Sequence, residues 1–164
     1  MKSLIVYSSK TGNTKKLAEA IQAFLPGESI SKSVDEKPDS NGFDLICLGF
    51  WFQAGRADSK ATEFLQSLDC QSPLFLYATH GAAADSDHAG HGMKLAAELV
   101  SSNTVIGSFS CQGEVNSELL AKAQKMNPPP PWIDDAPQAA GHPDDIDISR
   151  LEKTLHEALS RIEG

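Results

Sequence analysis

One short stretch near the start of the chain, Ser8-Ser9-Lys10-Thr11-Gly12-Asn13-Thr14, gathers hydroxyls, a carboxamide and a single glycine. Residues of these types in this order can hold an anion. The hydroxyls of Ser8, Ser9, Thr11 and Thr14 and the amide of Asn13 supply donors, and Gly12 lets the backbone turn sharply and approach a phosphate closely. An apolar strand, Leu4-Ile5-Val6-Tyr7, leads into the stretch, and a helical pattern from Lys15 to Leu25 leads out of it. The first turn of such a helix adds unpaired N–H groups and the positive end of its dipole. The nucleotide motifs G-x-x-x-x-G-K-[ST] and G-x-G-x-x-G both need more than one glycine, so neither fits. A plain helix cap needs one good side chain. The stretch offers several, which favours a phosphate over a cap without a ligand.

Two further stretches carry chemistry. Phe50-Trp51-Phe52-Gln53-Ala54-Gly55-Arg56-Ala57-Asp58 follows an apolar strand and opens on consecutive aromatics. Three in a row cannot all face the core, and flat apolar side chains suit the walls of a planar ring. The competing reading packs Phe50 and one neighbour under a helix. Thr79-His80-Gly81-Ala82-Ala83-Ala84-Asp85-Ser86-Asp87 follows another apolar strand, and its small residues permit close backbone approach to a ring edge. His80, His88, His91, Asp85 and Asp87 are metal-ligand types, but no complete ligand pattern accompanies them, so no metal is expected. The cysteines Cys47, Cys70 and Cys111 are scattered and form no C-x-x-C pair, so neither a zinc site nor a disulfide framework is indicated. Cys111 reads as a small buried hydrophobe. Asp134, Asp135, Asp144, Asp145 and Asp147 read as a solvated loop.

The elements that position these stretches follow from periodicity. Leu17, Ile21, Phe24 and Leu25 line one face of the first helix, which Pro26-Gly27 ends. Ile30 to Val34 alternates as a short edge strand, and Phe43 to Gly49 and Pro73 to Ala78 read as buried strands. Ala61, Phe64, Leu65 and Leu68 mark a helix capped by Asp58 or Ser59, and Met93, Ala96, Ala97 and Val100 mark another. Val105 to Ser110 is the last strand, and Ser117 to Met126 a further helix. The prolines from Pro128 to Pro131 stop that helix and favour an extended conformation. An acidic, proline-containing loop spans 127–148, after which Ser149 and Glu152 form a capping box for a terminal helix with Leu151, Leu155, Ala158, Leu159 and Ile162 on one side. Strands alternating with helices imply an α/β fold with a parallel sheet. Residues 1–164 read as a single domain.

Composition narrows the function classes. The formal charge of −8 argues against nucleic acid and anionic membrane partners, and it suits a basic protein partner. No apolar run reaches the length of a membrane span. Met1-Lys2-Ser3 leads straight into a strand, so no secretory signal is expected and a reducing cytoplasm is the expected compartment.

The segment Ser9-Lys10-Thr11-Gly12-Asn13-Thr14 resembles the S-x-T-G-N-T phosphate loop of flavodoxins. The patterns G-F-W-x-x-x-G-x-A-D from Gly49, A-D-S-x-H-A from Ala84 and G-S-F-x-C-Q-G from Gly107 resemble the short flavodoxin family of anaerobic bacteria, some of whose members are encoded beside bilirubin-reducing enzymes. The resemblance implies a flavodoxin-like, five-stranded parallel sheet in the order 2-1-3-4-5 with helices on both faces, and a ligand at its switch point. It implies FMN as cofactor, with the phosphate held by Ser9, Lys10, Thr11, Gly12, Asn13 and Thr14. The ring would be framed by Phe50, Trp51, Phe52, Gln53, Ala54 and Gly55 on one side and by Thr79, His80 and Gly81 on another. Many flavodoxins place a tyrosine against the ring from the loop that here reads Ala82-Ala83-Ala84. The second ring face is therefore open, covered by a partner, or covered by the proline-rich segment near Trp132. By resemblance, the Ala54-Gly55 or Gly55-Arg56 peptide meets the reduced ring, and Arg56 is the cation of that loop. The implied function is electron transfer from a reductase to an acceptor enzyme, a redox carrier more than a stand-alone enzyme and with no catalytic residue assigned. The alternatives are an NAD(P)H-dependent FMN or quinone reductase on the same fold and a flavin-free interaction module.

Overall fold

The computed structural model describes residues 1–162. Its strands are β1 (Lys2–Tyr7), β2 (Glu28–Ser33), β3 (Leu45–Gln53), β4 (Arg56–Ala57), β5 (Leu74–His80) and β6 (Val105–Gln112). Its α-helices are α1 (Asn13–Phe24), α2 (Ser59–Ser67), α3 (Asp87–Leu99), α4 (Ser117–Ala123) and α5 (Asp145–Leu159). The parallel sheet runs β2-β1-β3-β5-β6, and the two-residue β4 folds back antiparallel on the end of β3. Apart from β4, this is the order 2-1-3-4-5 that the flavodoxin resemblance implies.

Successive strand side chains point to opposite faces, so near-continuous apolar runs serve a sheet covered on both sides. Ile5, Cys47, Phe75 and Tyr77 pack against Leu17 and Ile21 of α1 and Leu151 and Leu155 of α5. Leu4, Val6, Ile46, Leu48, Phe50, Leu74 and Leu76 pack against Ala61 and Leu65 of α2 and Ala96 of α3. A Cβ on Gly49 would overlap the Tyr77 ring, so this glycine makes room for the phenol, whose hydroxyl donates to Val6 O at 3.0 Å.

Several boundaries differ from those expected from sequence, and α4 ends at Ala123 rather than at Met126. β3, β5 and β6 all run further, so Trp51 pairs with Thr79, and His80 with Gln112, inside the sheet. Aromatic and β-branched residues suit a pleated surface, and here they extend the strands past the apolar runs. α5 begins at Asp145 rather than after Ser149, so the 127–148 loop is shorter than expected. Its capping box is Asp144 with Asp147: Asp144 Oδ1 accepts from the amides of Ile146 and Asp147, and Asp147 Oδ2 accepts from the amide of Asp144. The proline run does not continue as an extended segment. It turns at once, with Ile133 N donating to Pro130 O and Asp135 N donating to Trp132 O.

Candidate functional site

The ends of β1, β3 and β5 meet at the sheet's switch point, between the neighbours β1 and β3. The first wall is the loop between β1 and α1. Gly12 adopts φ 97°, and α1 starts without a side-chain cap, whereas Asp58, Ser86, Asn116 and Asp144 cap α2 to α5. Ser9 Oγ accepts long bonds from the amides of Gly12 (3.2 Å) and Lys15 (3.3 Å). The amides of Thr11, Asn13 and Thr14 have no acceptor among the described residues. Orphan N–H groups at a helix start fit a phosphate.

Not every expected donor is free for it. Ser8 Oγ donates to Asp58 Oδ1 at 2.7 Å, and Asn13 Nδ2 donates to Glu114 O at 3.0 Å. Thr14 Oγ1 is buried, 2.9 Å from Thr79 Oγ1. These three side chains build the cradle from behind. Thr11 is exposed and lines the pocket, and its hydroxyl and the orphan amides have no partner among the described residues.

The second wall comes from β3 and its return strand. Phe50 is fully buried and stacks on Phe52, centroids 6.2 Å apart, so it belongs to the core and lies below any ring. Phe52 packs against the rings of His80 and His88 at 4.9 and 6.0 Å, and a Cβ on Gly92 of α3 would overlap it. Trp51, half-buried like Phe52, carries Lys10 Nζ 5.6 Å from its ring centroid. Ala54 (φ 51°) and Gly55 (φ 77°) form the two-residue turn to β4, with positive φ at both central positions as in a type I′ hairpin. Ala54 lines the pocket, whereas Gly55 lies against His88. Arg56 is exposed and outside the pocket lining.

The two walls share one anchor. Buried Asp58 caps α2 by accepting from Ala61 N, accepts from Ser8 Oγ, and receives the amide of Trp51 at 3.4 Å. The sequence reading offers Asp58 or Ser59 as this cap, and the aspartate fills the role.

The floor is the end of β5. His80 lies between Ala82 O, 2.9 Å from Nδ1, and Ser110 Oγ, 3.2 Å from Nε2. A carbonyl only accepts, so Nδ1 carries the proton and Nε2 accepts from the serine. Burial pushes the His80 pKa down to about 4; the Ala82 carbonyl opposes this and His88 adds to it. The imidazole is therefore neutral near pH 7. Burial also pushes the Cys111 thiol up, in keeping with a small core residue.

Together these walls enclose a cavity of about 460 Å³. Of the expected site residues, Ser9, Lys10, Thr11, Asn13, Thr14, Trp51, Phe52, Gln53, Ala54, Thr79, His80 and Gly81 line it. Gly12, Phe50 and Gly55 do not. Gly113, Glu114, Val115, Asn116, Glu118, Leu119, Lys122 and Trp132 complete the lining from the loop after β6, from α4 and from the segment beyond it. One signal for this third contribution is Gly113, where a Cβ would lie 2.8 Å from Asn13 Nδ2. Lys10 and Lys122 bring positive charge to the lining, and Glu114 and Glu118 bring negative charge. Among the described residues, one group of potential metal ligands comes within 4.8 Å: His142, Asp144 and Asp147. It excludes His80, His88 and His91, and its carboxylates form the α5 cap.

A phosphate-type loop and a flat-walled cleft at the switch point of a 2-1-3 parallel sheet define a protein of the flavodoxin-like class. The family model for the flavodoxin domain matches residues 4–156, and the chain belongs to that family. It is 30% identical, over 90% of each chain, to the flavodoxin-like domain-containing protein BilS of Clostridioides difficile (strain CD3). It is also 30% identical, over 94% of each chain, to BilS of Clostridium symbiosum (strain WAL-14163). Among solved structures, oxidised flavodoxin 2 from Bacillus cereus superposes with a TM-score of 0.64 at 15% identity, covering 98% of this chain and 99% of that one. The Fusobacterium nucleatum flavodoxin bound to flavin mononucleotide gives a TM-score of 0.64 at 14% identity over 98% of each chain.

Proposed function

We propose that this chain is an FMN-binding electron-transfer protein that carries electrons from a reductase to an acceptor enzyme in the cytoplasm. The observation that carries the reading is one pocket lined both by the donor loop, through Ser9, Lys10, Thr11, Asn13 and Thr14, and by the Trp51 indole. FMN carries the two matching parts, a phosphate and a planar ring. When bound, it supplies one- and two-electron chemistry, and the protein supplies binding and electrostatics. The amides of Thr11, Asn13 and Thr14 and the hydroxyl of Thr11 hold the phosphate. Trp51 covers one ring face and excludes water from it. The Ala54 turn and the Thr79–Gly81 backbone lie at the ring edge.

The pocket opens to solvent beside Trp51, Leu119 and Lys122. That opening suits electron exchange with docked proteins. No nucleic acid or membrane partner is proposed, since the net charge of −8 disfavours both. The test separates a carrier from a stand-alone reductase. FMN-loaded protein mixed with NAD(P)H stays oxidised until a flavodoxin reductase is added. Reduction by NAD(P)H alone would replace this reading with an NAD(P)H-dependent reductase on the same fold.

A further inference from the structure

Trp51 bounds the pocket from the β3 side, while the loop after β5, Ala82-Ala83-Ala84, has no ring to offer. Another part of the lining comes from a segment that the strand–helix alternation does not require. Trp132, in the turns after the proline run, lines the pocket. A Cβ on Gly81 would lie 3.2 Å from Trp132 Cε3, 3.4 Å from its Cδ2 and 3.1 Å from Val115 Cγ2. The indole therefore rests directly on the Gly81 backbone, and a larger residue there would displace it.

The segment is fixed in place. Asp135 Oδ2 accepts from the amide of Ala83 at 2.9 Å, and Gln112 Nε2 donates to Asp135 O at 3.3 Å. The turn bonds Ile133 N to Pro130 O and Asp135 N to Trp132 O, each 3.1 Å, stiffen the chain on either side of the indole. Gln112 ends β6 and Ala83 follows β5, so the bracket is bolted to two strand ends that also frame the pocket.

We propose that Trp132 is the second wall for the planar ring, delivered by the 128–135 segment in place of a residue from the loop after β5. The inference rests on the FMN reading above. A wall contacts the ring and not the phosphate, so it stabilises every flavin that carries the ring. Losing one stacking contact of this kind weakens binding about fivefold to a hundredfold.

The test compares FMN and riboflavin binding, by quenching of flavin fluorescence, in wild type, Trp132→Ala, Trp132→Phe and Gly81→Ala. Trp132→Ala weakens both ligands by a common factor in that range, and Trp132→Phe restores most of the affinity. Gly81→Ala, which keeps the indole but moves it, weakens both ligands in the same proportion as each other. If Trp132→Ala fails to fold by circular dichroism, the other two variants decide: wild-type affinity in Gly81→Ala overturns the wall. Wild-type affinity in a folded Trp132→Ala, or a loss confined to FMN, also overturns it and leaves the FMN reading standing. A wild-type protein that binds neither flavin overturns both.

Discussion

Ser8 Oγ donates to Asp58 Oδ1 across 2.7 Å, and so ties the end of β1 to the first turn of α2. The same carboxylate holds the amides of Ala61 and Trp51, at 3.2 and 3.4 Å. Phosphate loop and ring wall thus share one buried anchor. Asp58→Ala leaves these donors without an acceptor and removes the α2 cap, so it should lower unfolding free energy by about 2–4 kcal/mol. Ser8→Ala should cost about 1–2 kcal/mol, and the double variant less than the sum. Urea denaturation of all three measures this. Strictly additive losses would mean that the two residues act independently.

The phosphate loop divides into residues that face the ligand and residues that hold the loop. Thr11→Val should weaken FMN by about 1.5–3 kcal/mol and leave riboflavin unchanged, because the lost hydrogen bond is to a charged group. Thr14→Val strands the buried Thr79 hydroxyl and should lower stability, affecting both flavins alike. Calorimetric titration with the two ligands separates the cases. A selective FMN loss in Thr14→Val would reverse the assignment.

Much of this was legible in the sequence because it rests on local rules. The loop Ser9–Thr14, the parallel sheet and the apolar helix faces follow from short-range pattern and chain alternation, and the strand order follows from the flavodoxin resemblance. What escaped depends on distant contacts. Phe50 and Trp51 are adjacent in a strand, yet strand alternation sends one to the core and the other to the pocket. Asp144 and Asp147 look like solvated acids until the α5 amides and His142 are brought to them. Trp132 reaches the pocket only because Asp135 and Gln112 fold its segment over Gly81.

Lys10 lines the pocket and sits over Trp51, whereas Arg56 lies outside the lining, so Lys10 is the cation expected to tune a bound ring. A unit charge at roughly 8 Å contributes about 0.5 kcal/mol in water and about 2 kcal/mol at an effective dielectric of 20. For one electron these energies correspond to about 20–90 mV. Removing a positive charge disfavours the gain of an electron. Lys10→Ala should therefore lower the reduction potential of bound flavin by an amount in that range, less at high salt. Arg56→Ala should shift it less. Anaerobic potentiometric titration at low salt checks the order, and a larger shift for Arg56→Ala would contradict it.

His80 links stability to pH. Its pKa is about 4 in the folded chain against an ordinary value of 6.5. Between those values the unfolded chain binds a proton that the folded chain does not. Stability should thus be full above about pH 6.5 and fall as pH drops toward 4, by about 3 kcal/mol in total. His80→Asn should flatten this slope. Chemical denaturation at several pH values in the two proteins measures it, and equal slopes would show that another group is responsible.

A pocket that takes FMN should let the bound flavin exchange electrons with an external donor. The most direct measurement is the visible absorbance spectrum of purified protein, titrated with FMN and then reduced stepwise with dithionite without oxygen. One FMN per chain, retained through gel filtration, taking up two electrons and reoxidised on mixing with an acceptor, is the expected result. A protein that stays colourless after FMN addition would contradict it.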